Sequence, residues 1–202
     1  MTVFVSSDIH LNHRNIISYC SGRRRPNVAN GTPVSDDEIH YMNEMIISNW
    51  NNTITPEDEV FILGDVAMGI IEKGIPLIRR MNGKKYLVAG NHDVKLRKYV
   101  RERMFGAEDL FVWVKDYFEY SYTHNEKRHR IIMSHFPMAH WNMQSKESIH
   151  LHGHLHSESS KKHINEYKIM DVGMDGNNLV PYKLDDVIDV TNIRPNRESH
   201  HD

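Results

Sequence analysis

The stretch TVFVSSDIH, residues 2–10, joins a short run of β-branched and aromatic residues to a block rich in metal-ligand side chains. A run so short and apolar predicts a core strand rather than a buried helix, and it stops at Asp8 and His10. The pattern recurs along the chain. EVFIL at 59–63 closes on Gly64 and Asp65, KYLVA at 85–89 on GNHD at 90–93, and RIIMS at 130–134 on His135. A fifth block, GHLH at 153–156, follows a strand expected at about 148–152.

Helical patterns separate these strands. Ser35 with Glu38 is a capping-box signature, and Ile39, Met42, Ile46 and Trp50 then mark one face of a helix. A second helix is expected over about 70–82, irregular near Pro76 and closed by Gly83. A third is expected from Val94 to Met104, with Leu96, Tyr99, Val100 and Met104 facing inward. Strand alternating with helix implies βαβ units and a parallel sheet. The second half changes character: 111–122 and 129–134 flank the polar turn HNEK and predict a β-hairpin, with another strand at 166–172. The expected fold class is therefore α/β, two mixed β-sheets flanked by helices. It forms one layered domain over residues 1–192, with 193–202 a disordered tail.

Composition bounds the function. A chain of 202 residues, 39% hydrophobic and 26% charged, can bury one good core. A net charge of −2 gives no bulk footprint for nucleic acid or an anionic membrane. One cysteine, Cys20, excludes an intrachain disulfide framework and fits a reducing cytosol. With no spanning or leader segment evident, a cytoplasmic protein without a membrane partner is expected. Fifteen histidines are the compositional outlier, many of them within or beside the blocks.

Loops at the carboxyl ends of strands in an open α/β sheet converge, so blocks far apart in sequence can meet in space. Asp8 and His10 alternate along a segment expected to be extended, which points both side chains one way. His154 and His156 follow the same logic. Asp65, isolated after Gly64, is the best candidate to bridge two ions. Carboxylate, imidazole and amide oxygen donors without thiolate suit Mn²⁺, with Fe, Zn²⁺ or Ni²⁺ as alternatives. Two such ions about 3.5–4 Å apart generate a hydroxide at neutral pH and clamp the oxygens of an in-line displacement, the geometry of phosphoester hydrolysis. Gly64, Gly90 and Gly153 would let backbone turn sharply beside them.

DIH, GD, GNHD, a lone His after an apolar strand, and GHLH, in that order over 8–156, resemble the calcineurin-like metallophosphoesterase superfamily. The resemblance covers about three quarters of the chain. It implies a two-sheet αββα sandwich and a binuclear centre. Carried over, Asp8, His10 and His156 would hold one metal, Asn91, His135 and His154 the other, and Asp65 would bridge. His92 would be the free imidazole near the leaving group, and Asp93 would orient it.

Other residues carry two readings each. Arg23, Arg24 and Arg25 form either a phosphate grip or a solvated basic turn. Asn12 and His13 touch substrate, or His13 caps the following helix. Trp141 is a stacking wall for a base or a core residue. Asp171 and Asp175 support other groups rather than coordinate. His124, His129, His150, His152 and His163 are read as surface or structural.

Departures from relatives narrow the function. Gly64-Asp65 runs into VAMG, without the Asp-Arg-Gly of Ser/Thr protein phosphatases, and the chain lacks room for the DNA-capping segments of double-strand-break nucleases. The expectation is a phosphoesterase acting on a small phosphate ester, a nucleotide or related metabolite, with no stable nucleic-acid complex. The alternatives are a small nuclease or phosphodiesterase on short or single-stranded nucleic acid, and a non-catalytic scaffold of the same fold.

Overall fold

A computed structural model describes residues 1–24, 32–156 and 166–198. The first sheet has five strands: β1 (Val3–Ser6), β2 (Glu59–Ile62), β3 (Lys84–Val88), β4 (Val114–Lys115) and β9 (Tyr182–Lys183), in the order β4-β3-β2-β1-β9. Its pairings are parallel except for β9, which lies antiparallel to β1. The second sheet has four, β5 (Phe118–His124), β6 (Lys127–Met133), β7 (Ile149–His152) and β8 (Ile169–Asp171), in sequence order. There β5 and β6 form the antiparallel hairpin, and β7 and β8 continue in parallel.

Side-chain alternation assigns each strand to two layers. Val3, Val5, Phe61, Leu63 and Val88 meet Ile131, Met133, Ile149 and Leu151 between the sheets. Phe4, Val60, Ile62 and Leu87 face the other way, onto helices. These are α1 (Arg14–Tyr19), α3 (Asp36–Thr53), α4 (Ile71–Arg79) and α5 (Val94–Arg101), with the short α2 (Ser21–Arg24) after α1. Strands covered on both faces are continuous apolar runs, which is why β1, β2 and β3 stand out in the sequence.

The capping box forms as expected. Ser35 Oγ accepts from Glu38 N at 3.2 Å, and Ser35 N donates to Glu38 Oε2 at 2.8 Å. Met42, Ile46 and Trp50 are then buried along α3. Two expectations need correction. Residues 111–122 do not form one arm of the hairpin: Val114–Lys115 pairs with β3 in the first sheet, and the chain crosses to the second before Phe118. A carboxy-terminal helix, α6 (Leu184–Asn192), was not foreseen; it packs Leu184, Val187 and Ile188 onto the inter-sheet core. Beyond it, Arg194 Nη1 donates to the Ile169 carbonyl at 2.6 Å, and residues 199–202 lie outside the described part.

Candidate metal centre

All five blocks meet at one end of the two sheets. An isolated parallel bridge from Ser7 to Gly173 ties β1 to the end of β8, and another joins Leu11 to Ala67. The approach is close. A Cβ on Gly153 would lie 1.8 Å from Ser7 Oγ and 2.5 Å from Asp8 Oδ2, and one on Gly90 only 2.3 Å from Asp65 Oδ1. Side chains at either position would push the carboxylates out of place.

The backbone itself is unusual. Asp8, His10, Asp65, His154 and His156 all have φ between 53° and 70°, in the left-handed region. The extended segments expected for Asp8–His10 and His154–His156 are thus absent. Alternating left-handed residues converge Asp8 and His10 but send His154 and His156 to different groups, at a cost of order 1–3 kcal/mol per residue that the surrounding packing must hold.

Asp8, His10 and His156 bring one ligand atom each within 4.8 Å of one another, and Asp65, His135 and His154 form a second such group. Asn91 joins the second, its Oδ1 2.9 Å from His135 Nε2. Asp65 faces both groups: Oδ1 accepts from His92 N at 2.9 Å, while Oδ2 lies 3.8 Å from His10 Nε2 and 3.5 Å from His135 Nε2. Asp8, His10, Asp65 and His135 form a buried floor, and Asn91, His92 and His154 an exposed rim.

The donor set fits a cation. His135 Nδ1 lies 2.7 Å from the Leu63 carbonyl, an acceptor, so Nδ1 carries a hydrogen while Nε2 is turned toward Asp65 and Asn91. Asp8 Oδ2 accepts from His154 N at 2.8 Å, but the buried Asp8 Oδ1 and His10 Nε2 face each other at 3.8 Å with no hydrogen-bond partner. Orphaned buried acceptors cost free energy that a divalent ion offsets. Burial lifts the Asp8 carboxyl to about 6 and pushes the His10 imidazole far below its usual range. At His156 burial opposes the charge, yet hydrogen bonds with Asp175 and Cys20 lift the ring to about 10.

Arg24 is not a phosphate grip. It is buried, and its guanidinium donates from Nε and Nη2 to Asp175, from Nη2 to the Asp8 carbonyl, and from Nη1 to the Ile9 carbonyl and Met42 Sδ. Asp175 Oδ2 in turn takes His156 Nδ1 at 2.9 Å. This chain of contacts fixes the left-handed Asp8 segment and the His156 tautomer together. Arg23 is exposed, and Arg25 lies outside the described residues.

Asp93 does not reach the His92 ring. Its carboxylate accepts from Asp65 N at 2.8 Å, Val66 N at 3.0 Å and Gly90 N at 2.8 Å, so it clamps the two glycine loops to each other. His92 stands 38% exposed, with Nε2 3.9 Å from Asp65 Oδ2. His13 joins the site, its Nδ1 3.2 Å from His10 Nδ1, and burial lowers its ring to about 4. It makes no side-chain cap to α1. Asn12 accepts from Asn43 Nδ2 at 2.7 Å and is half-buried.

Trp141 is a core residue. It is buried against Ile132 and Ile169, with Nε1 donating to Ser148 Oγ at 3.1 Å, so it offers no stacking wall. His150, also buried, accepts from Met138 N at 3.0 Å and faces the Ile132 carbonyl, a structural role. Cys20, which nothing in the sequence linked to the site, reaches the His156 and Asp175 side chains.

A model of the calcineurin-like phosphoesterase family matches residues 1–180. The chain belongs to that family. It is thereby a metal-dependent phosphoesterase of the family's binuclear type. An uncharacterized protein of Methanocaldococcus jannaschii, MJ1445, is 26% identical over 195 residues, which cover 92% of this chain and 89% of the relative. The gene 66 protein of Mycobacterium phage D29 is 24% identical over 213 residues, with 94% and 96% covered. In fold, the chain is similar to the crystal structure of AQ665, a protein of unknown function from Aquifex aeolicus. The TM-score is 0.64 at 21% identity, covering 94% of this chain and 98% of that one. Among the described residues no helix is long and apolar enough to cross a membrane.

Proposed function

We propose that this phosphoesterase hydrolyses a small phosphate ester, a nucleotide or related metabolite, in the cytosol. The observation that carries the site assignment is Asp65 Oδ2, which lies 3.8 Å from His10 Nε2 in one group and 3.5 Å from His135 Nε2 in the other. Asp8, His10 and His156 would hold one divalent ion, Asn91, His135 and His154 the other, and Asp65 both. The absence of thiolate from these two ligand groups favours Mn²⁺. Bound there, the ions supply Lewis acidity toward the phosphoryl oxygens and acidify the attacking water.

The protein's own part is positioning and proton handling. The backbone N–H of His92 holds Asp65 by its Oδ1, which keeps Oδ2 turned toward the two groups. The His92 ring, on the exposed rim, hydrogen-bonds a phosphoryl oxygen and passes its proton to the departing oxygen. His13, neutral at physiological pH, adds a second polar edge, its ring centroid 6.3 Å from that of His92. The test is a panel of mono- and bis-(p-nitrophenyl) phosphate and nucleotides, run with Mn²⁺ and with chelator. Chelator-sensitive hydrolysis is expected, and equal rates in both conditions would sink the reading.

A further inference from the structure

Two clefts open from the ring pair His13 and His92, whose centroids lie 6.3 Å apart. The one beside His13, about 760 Å³, has Asn43, Met68, Ile70, Lys73 and Leu77 in its walls. The one beside His92, about 630 Å³, runs along α5 past Lys95, Arg97, Lys98 and Arg101. No acidic side chain lines it.

A helix that buries Leu96 and Tyr99 must turn its remaining residues to water, so a charged outer face alone means little. This face differs in its single sign and in where it starts. Lys95, Lys98 and Arg101 recur every three residues and rise about 9 Å along the helix, directly away from His92. The acidic partners of these four cations stand outside the groove, Glu72 on Lys95, Asp116 on Arg97 and Glu102 shared by Lys98 and Arg101, so three acids face four cations. Exposed pairs of this kind are worth under about 1 kcal/mol, so an anion entering the groove displaces little.

We infer that the α5 groove is a subsite for a second phosphate, and that the substrate is a phosphodiester continuing past the scissile phosphorus. The inference rests on the metal-centre reading above and sharpens it. A monoester has one organic arm and needs one cleft. A phosphorus held over Asp65 has two clefts beside it, one past His13 with Met68, Ile70 and Leu77 in its wall, suited to a nucleoside, and one past His92, suited to a phosphate-bearing arm. In the reaction water's oxygen bonds to phosphorus, the P–O bond to one arm breaks, and a proton goes to the departing oxygen. The products are a phosphomonoester and an alcohol.

The test compares thymidine dinucleotides with and without a terminal phosphate, at the 5′ and at the 3′ end, on Mn²⁺-loaded protein. One of the phosphorylated forms is expected to show a kcat/KM about tenfold above the unphosphorylated one, the scale of one charge-assisted hydrogen bond. That advantage should shrink with added salt. In Lys98→Glu/Arg101→Glu, whose side chains are 56% and 76% exposed, the ratio should fall to near one with the thermal midpoint unchanged. Cleavage of bis-(p-nitrophenyl) phosphate with a wild-type ratio near one at both ends overturns the subsite alone. No hydrolysis of any phosphoester overturns the metal-centre reading beneath it.

Discussion

The Arg24 guanidinium and the Asp175 carboxylate meet side-on, Nε to Oδ1 at 2.8 Å and Nη2 to Oδ2 at 2.9 Å, and solvent reaches neither side chain. Because His156 shares that carboxylate, which Arg24 and His156 hold well below the usual range against its burial, the pair sets both charge and orientation at the site. Removing one partner strands a buried charge. Arg24→Met should cost about 3–5 kcal/mol, a fall of roughly 6–20 °C in thermal midpoint measured in chelator. A loss below about 1 kcal/mol would show the pair to be dispensable.

Asp65→Asn keeps an oxygen for the His92 N–H but replaces the second carboxylate oxygen, which faces His10 and His135. An amide holds two cations poorly. The expected outcome is fewer than two bound metals per chain and a rate about a hundredfold lower or worse. Elemental analysis beside kinetics checks both, and retention of two metals at the native rate contradicts the bridge.

His92→Ala separates chemistry from coordination. The ring belongs to neither ligand group and stands on the exposed rim, so metal content should not change. Hydrolysis should fall about 10²–10⁴-fold, the usual contribution of a positioned proton donor. Metal lost along with activity would place His92 among the ligands.

Far from the site, Asp58 accepts from Thr2 N at 2.7 Å, Thr55 N at 3.0 Å and Thr55 Oγ1 at 2.8 Å. These bonds, Thr2 foremost, hold its pKa below the ordinary 3.8. A depressed carboxylate stabilises the fold above its unfolded pKa and ceases to as pH falls through the folded value. Asp58→Asn should therefore cost about 1–3 kcal/mol at pH 7, with the gap to the native protein closing below about pH 4. A gap that stays constant across that range would assign the loss to packing.

The buried strands and their terminal blocks were legible because a strand covered on both faces must be continuously apolar, and its polar stop is then conspicuous. β4 was not legible, since two residues, Val114 and Lys115, carry too little pattern to declare which sheet they join. The convergence of Asp8 with His10 was foreseen through the wrong backbone, because nothing in the residue types announces φ near 55°. Arg24 misled for a physical reason: an Arg-Arg-Arg run suggests water, and only the fold supplies the carbonyls and the carboxylate that allow one of the three to be buried. Trp141 was ambiguous on the same ground, since its surroundings, not its type, decide whether a ring is wall or core.

Arg24 and Asp175 also set a schedule for synthesis. Asp8 is held by an arginine whose anchoring carboxylate is 151 positions further along the chain than the arginine itself. A nascent fragment ending before residue 175 would carry every candidate ligand and still lack the group that turns His156 toward them. The ligands and the carboxylate that orients one of them therefore belong to different stretches of the chain, and shortening it by its last part removes the second without the first.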